Sequence, residues 1–345
     1  MAPRRDPSEH AGQSWRLGLS WLFGLLVLGA VVLVATRFTE IERFAAIARA
    51  AQPAWLLAAL ALQILTYFCA AGVWYGTLHR AGVRQSYWSI VPLGLAKLFT
   101  DQALPTGGIG GTLLVVSGLD RRGVPSGVGM AALLIGLISF YIAYLAVVLA
   151  GLAILYSAHA LNRTMIVAAG IFVVVAFGIP AIVLRARHWS QHGTRDGLMS
   201  IANRWLERVP GFSTLKSAMA KAPGKLLRDP LPFVSATVLQ LLVFALDAGT
   251  LWIMLHALGA EASPPTAFAA FIMASLASTV GPMPLGLGTF EAVCVTVLHL
   301  LGQSIEVALT ATLLLRGFTF WLPMIPGLVL ARRELKHSGN GAQRT

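Results

Sequence analysis

The chain has 345 residues, of which 57% are hydrophobic and only 12% charged, and its mean hydropathy is +0.74. Soluble domains carry about 25% charged residues, so a soluble globular protein is excluded. The net charge of +12 reads as membrane topology rather than nucleic-acid affinity, because Lys and Arg collect in the cytoplasmic loops of membrane proteins.

A spanning helix needs roughly 20 mostly apolar residues. Residues 1–16, with Arg4, Arg5 and Arg16, read as a cytoplasmic N-terminus. The first span is 17–35; its apolar run is longer than a secretory h-region and no small-residue cleavage site follows, so it reads as an uncleaved anchor. Residues 38–51 carry Phe44, Ile47 and Ala48 at helical spacing, a weak external amphipathic stretch. The second span is 55–78. The apolar stretch 88–118 comes next, interrupted around Asp101, Pro105, Gly107, Gly108, Gly110 and Gly111. Clusters of Pro and Gly end helices, so the stretch reads as two short helices of about 16 and 11 residues, roughly 24 and 17 Å long. The hydrocarbon core is about 30 Å thick, and the pair therefore reads as a re-entrant hairpin.

Full spans follow at 127–155 and 164–184, then a basic loop at 185–229. Within it Leu198, Ala202, Trp205 and Val209 recur at helical spacing beside Arg204 and Arg208, a pattern shared by a helix lying on anionic lipid and by an ordinary cytoplasmic loop. A span at 231–257 leads to a second interrupted stretch, 266–301, broken around Pro284, Gly286 and Gly288. The last span is 305–330, and 336–345 form a cytoplasmic tail. Cys69 and Cys294, the two cysteines, fall inside apolar segments. They offer no disulfide framework and no metal-ligand spacing, and no cofactor is expected.

The predicted architecture is all-α and polytopic, with six full spans and two re-entrant helical hairpins in a single domain over 17–335. With the N-terminus inside, the nine basic residues of 185–229 face the cytoplasm, as the positive-inside rule requires. Reading 88–118 as one full span would turn all nine outward. A hairpin and two short complete spans satisfy the rule equally. Pro105 and Pro284 are 179 residues apart, and the flanking spans are offset by 176 and 178. A span–hairpin–span unit therefore occurs twice, over 54–156 and 231–331, with the two hairpins entering from opposite sides. Breaks at matching places in an inverted repeat point to a secondary-transporter substrate site.

Charges at membrane depth need a reason, since each is unfavourable by about 2.5–3.5 kcal/mol or more. Lys97 and Asp101 are four apart and share a helix face, either as a self-neutralising pair or as part of a site. Glu291 falls in the first turn of the second half-helix, where a carboxylate suits the positive helix end. Arg316 lies mid-span and needs a partner, and Asp247 and Glu291 are the eligible acids of the second repeat. Gly107, Gly108, Gly110 and Gly111, and Gly286 and Gly288, leave backbone N–H groups bare at half-helix ends, which attract anions such as phosphate. With Pro105 and Pro284 these residues make up the expected substrate site. The chain has no HExxH, GxSxG or P-loop pattern, and an enzyme is not expected. His256 and His299 read as packed groups near span ends.

The motif running from Leu104 and Pro105 through Gly107, Gly108, Gly110 and Gly111, followed by Asp120, Arg121 and Arg122, resembles the flippase-like membrane region of the lysylphosphatidylglycerol synthetase/flippase family. So does the run Pro284, Gly286, Gly288, Thr289, Phe290, Glu291, followed by Gly302, Gln303, Arg316, Pro323 and Pro326. The resemblance spans about 15–335. It implies a region that moves aminoacylated phospholipid between leaflets, with relatives of this region alone beside other lipid pathways, including hopanoid and glycolipid synthesis. Glu291 and Arg316 match the family's positions best. The family's tRNA-dependent synthetase domain is absent here, so lysyl-lipid synthesis is not expected.

The expected function is that of a lipid translocator of a bacterial-type inner membrane. Its partners would be membrane phospholipids, with a separate lipid-modifying enzyme as a second candidate and no nucleic acid. The rival expectations are a non-transporting accessory subunit, a polar-solute secondary transporter, and a membrane-embedded enzyme using Glu291.

Overall fold

The computed structural model describes the backbone of residues 52–103, 109–192, 221–280 and 286–341, and the side chains within them except at 101–103, 109, 179–180, 182–192 and 334–341. The expected span 17–35, the stretch 38–51, the helix around Leu198–Val209, Pro105, Gly107, Gly108 and Pro284 lie outside these residues.

Among the described residues the chain is helical, with no strand. The helices are α1 (Pro53–Arg80), α2 (Tyr87–Ala103), α3 (Ile109–Asp120), α4 (Ser126–Ser157), α5 (Arg163–His192), the single turn α6 (Gly224–Arg228), α7 (Pro230–Ala257), α8 (Pro264–Val280), α9 (Thr289–Leu300), α10 (Ile305–Arg316) and α11 (Leu322–Gly341). A π-helical turn, Gly317–Trp321, joins α10 to α11. Helix α1, helix α4, helix α7 and the run Ile305–Arg333 are long and apolar enough to cross a membrane. Helix α5 carries regular structure two turns beyond the expected end at 184 and so takes in the first part of the basic loop.

Local chemistry sets the ends. Pro53 and Pro230 occupy first-turn positions, where a missing N–H is harmless. The Asp229 carboxylate accepts from the Leu231 N–H at 3.0 Å, and the Ser304 hydroxyl from the Val307 N–H at 3.3 Å, each satisfying a donor the helix cannot use. Helices α1 and α7 both end at a glycine with positive φ, Gly82 and Gly259, and so do α3 and α9, at Gly123 and Gly302. Only glycine adopts this backbone without strain.

Each interrupted stretch is two short helices, and the lengths match: 17 and 12 residues for α2 and α3, and 17 and 12 for α8 and α9. These are about 26 and 18 Å long, and each pair packs side by side.

Helices α1 and α7 run antiparallel along their whole length. Trp55 meets His256 at one end with ring centroids 5.9 Å apart, Gln63 bonds Asp247 in the middle, and Arg80 faces Asp229 at the other end at 3.8 Å. Around this axis α2, α4, α8 and α10 pack. The interfaces rely on small residues, which let backbones approach where hydrophobic burial supplies no drive. Ala267, Ala269, Ala270 and Ala274 of α8 are fully buried. Late in α4, a Cβ on Gly151 would meet Met273 and Ile272 of α8 at 3.3–3.4 Å. Early in α11, a Cβ on Gly327 would meet Phe99 at 2.7 Å and the Leu95 carbonyl at 2.9 Å, both on α2. Outward-facing side chains such as Leu57, Val174 and Ile325 are large, apolar and about 70% exposed, a surface that suits hydrocarbon.

Candidate functional site

The second break carries the clearest constellation of charged groups. After α8 the chain returns through Gly286 and Gly288, with φ of +62° and +81°. A Cβ on Gly286 would stand 2.5 Å from the Ser278 Cβ, so the return packs directly on the last turn of α8. Gly288 then N-caps α9. Glu291 is the third residue of that helix, and its Oε2 accepts from the Gly288 N–H at 2.7 Å. This satisfies one of the donors exposed at a helix start.

The other oxygen reaches across to α10. Glu291 Oε1 accepts from Arg316 Nε at 2.8 Å, and the two side chains are only 18% and 14% exposed. The Arg316 guanidinium lies between two rings, 4.9 Å from the centroid of Phe290 and 4.8 Å from that of Phe320. Cation–π contacts of this kind strengthen when desolvated. Of the two acids open to Arg316 from sequence, the structure brings it Glu291.

Arg316 is also the last residue of α10, immediately before the π turn. Turns of this type interrupt the i→i−4 ladder and occur often at functional sites. Here the Phe318 carbonyl accepts a long hydrogen bond, 3.5 Å, from the Tyr67 hydroxyl of α1.

Asp247 stands in a different cluster. Its Oδ1 accepts from Gln63 Nε2 at 3.0 Å and lies 3.5 Å from the Thr66 hydroxyl. Gln63 Nε2 also donates to the Thr250 hydroxyl at 3.1 Å. Gln63, Thr66 and Thr250 are buried, so this is a polar seam inside the α1–α7 interface.

At the first break Lys97 is half-buried on α2, with Asp101 one turn later on the same helix. Gly110 and Gly111 open α3, and Gly111 is buried. The structure thus joins Gly288, Glu291 and Arg316, sets Asp247 apart among residues of α1, and places Lys97, Gly110 and Gly111 on the helices of the first break. The sequence reading missed Phe290 and Phe320 as ring partners, Gln63, Thr66 and Thr250 as partners of Asp247, and the π turn. A Gln and a Thr mid-span are the signal that could have found the Asp247 seam, since polar groups in hydrocarbon need partners. Among the described residues no group of three or more His, Cys, Asp or Glu side chains could hold a metal.

A family model described as the lysylphosphatidylglycerol synthase TM region matches residues 21–327. Among curated proteins none matches the chain. The chain belongs to this family. Its apolar helices and this membership make it a multi-pass integral membrane protein of a family linked to lipid handling. The match covers the family's membrane region.

Proposed function

We propose that this member of the lysylphosphatidylglycerol synthase TM-region family moves a phosphate-bearing amphiphile between leaflets, with the head group exchanging places inside the Glu291–Arg316 pair. The observation that carries the reading is that pair, clasped at 2.8 Å at the start of a half-helix in an apolar surrounding. Charges at membrane depth are unfavourable by about 2.5–3.5 kcal/mol or more each, and a packed apolar pair would serve structure equally well. A lipid phosphate competes with Glu291 for Arg316, since guanidinium matches phosphate and carboxylate alike. Glu291, once displaced, is left to hold an amine, so a head group bearing both charges replaces each partner in turn. In this reading the N-termini of α9 and α3 turn the positive ends of their helix dipoles toward the phosphate. Lys97 and Asp101, on α2 ahead of the first break, are the charged residues this reading assigns to the first-repeat side.

The architecture proposed for this task is the inverted repeat of six spans and two re-entrant hairpins, in one domain over 17–335. Four features support it. The broken pairs have the same lengths, 17 and 12 residues. The helix-ending glycines recur at the repeat spacing, Gly82 with Gly259 and Gly123 with Gly302. The corresponding spans α1 and α7 run antiparallel, as inversion demands. Gly151 against α8 has its counterpart in Gly327 against α2. The same reading places both termini and the basic loop 185–229 in the cytoplasm of an inner membrane.

Leaflet exchange in proteoliposomes tests the proposal and ranks the cargo. Labelled phosphatidylglycerol, an aminoacylated analogue and an uncharged lipid are compared. Exchange of the charged lipids above the uncharged one is expected. No exchange of any lipid by folded protein would overturn it and favour an accessory or solute-transport role.

A further inference from the structure

We infer that Asp247 is a proton-carrying group, a carboxyl that takes up and releases one proton as the protein works, separate from the Glu291–Arg316 pair. The inference stands on the hydrogen-bond geometry of the α1–α7 seam. Thr66 has one hydroxyl hydrogen, and it goes to the Leu62 carbonyl at 3.0 Å, so its 3.5 Å approach to Asp247 is secondary. The Thr250 hydrogen likewise goes to the Leu246 carbonyl at 2.9 Å. Gln63 Nε2 has two hydrogens, one for Thr250 and one for Asp247 Oδ1. The carboxylate therefore receives one full hydrogen bond, from a neutral amide, against roughly four lone-pair sites when ionised. Among the described residues no Lys, Arg or His side chain is bonded to it.

The groups facing α7 from the elements packed on it leave the charge unbalanced. Helix α1 offers Gln63, Thr66 and Tyr67, whose phenol stands in the field of Asp247; its own His79 and Arg80 lie at the far end, beside Asp229. Helix α4 offers Tyr141 and Tyr144, the latter bonded to Thr279. Helix α8 has no titratable side chain. Helix α10 has Glu306 in its first turn and Arg316 in its last, the latter held by Glu291. On α7 itself His256 is two and a half turns away, against Trp252 and Trp55. An ionised carboxylate with one neutral donor at membrane depth is strongly disfavoured. A proton on Oδ2 removes the charge and leaves Oδ1 to accept from Gln63.

The seam also touches the head-group site. Tyr67, next to Thr66, bonds the Phe318 carbonyl in the π turn that follows Arg316. Loss of the proton puts a charge into the α1–α7 contact one residue from that link. Each cycle takes one proton from one aqueous phase and delivers it to the other, with no bond to the lipid made or broken. The transport role rests on the translocator reading above; the proton on Asp247 does not.

Two measurements test this. Infrared difference spectra of the purified protein in lipid nanodiscs, titrated from acid to alkali, are expected to show the carbonyl band of a protonated carboxylic acid that disappears in D247N. Leaflet exchange with the membrane potential clamped is expected to rise several-fold under an imposed pH gradient in wild type, and to ignore the gradient in D247N. Asparagine keeps the Oδ1 acceptor, so a purely structural Asp247 would leave the gradient response unchanged in D247N, and that result overturns the inference. So does the absence of the acid band across the titration, or a response to a sodium gradient in place of protons. The acid band with no lipid exchange in wild type would refute the translocator and leave the proton site standing.

Discussion

Glu291 uses its two carboxylate oxygens for two tasks, capping the start of α9 and holding Arg316. The tasks separate by mutation. Glutamine keeps an acceptor for the Gly288 N–H but loses the charge, whereas alanine loses both. Both variants leave the Arg316 charge unpaired, so E291A is expected to destabilise by about 3–5 kcal/mol and E291Q by about 1 kcal/mol less, the worth of the retained cap. A double-mutant cycle of E291Q with R316Q, read by thermal unfolding in detergent, is expected to give a coupling of about 1–3 kcal/mol; additive effects would deny the pair. At this scale the sequence was partly legible. It marked Glu291 and Arg316 as costly charges that need reasons, and it offered Arg316 two acids without choosing. The choice depends on how α9 and α10 pack, which hydropathy does not encode. The partners of Asp247 were invisible for a similar reason: Gln63 is 184 residues away and carries no charge to attract attention.

At the scale of elements, the legible part was what depends on local chemistry. Apolar runs set α1, α4 and α7 to within a few residues of the observed ends, and Pro–Gly clusters set the two breaks. The last span was placed at its start but not at its end, since the helix continues past 330 through Arg332 and Arg333 to Gly341. The end of α5 was not legible, because charged Arg185 and Arg187 read as loop while the helix runs on to His192. The π turn was not legible either, since Gly317–Trp321 continues an apolar pattern compatible with plain helix. Packing between elements yields an asymmetric prediction. Gly327 faces the Leu95 carbonyl and the Phe99 Cβ, which cannot move without α2 moving. Gly151 faces the Met273 methyl at 3.3 Å, which can turn aside, and the Ile272 Cγ2 and Cβ at 3.4 and 3.6 Å, ordinary contact distances. G327A is therefore expected to destabilise by about 1–3 kcal/mol, as overpacking does, and G151A by under about 1 kcal/mol. Equal effects in thermal unfolding would contradict the contact geometry.

For the whole molecule, charge counting and the repeat period predict an orientation, with both termini and the hairpin 88–118 on the cytoplasmic side. Single cysteines at Gln85, Asp120, Ala160, Glu261 and Gln303, in a background lacking Cys69 and Cys294, test it with impermeant label on intact cells. Gln85 and Asp120 are expected to stay protected together inside, and Ala160, Glu261 and Gln303 to label from outside. Gln85 and Asp120 on opposite sides would make the first broken pair a single crossing and dismantle the inverted repeat. The central claim is that a lipid head group passes through the Glu291–Arg316 pair, and the leaflet-exchange rate of R316Q beside wild type, both folded and reconstituted at equal density, tests it most directly. A loss of at least about 10-fold is expected, the equivalent of roughly 1.4 kcal/mol and at the low end for a charged hydrogen bond; an unchanged rate in folded R316Q would contradict the account.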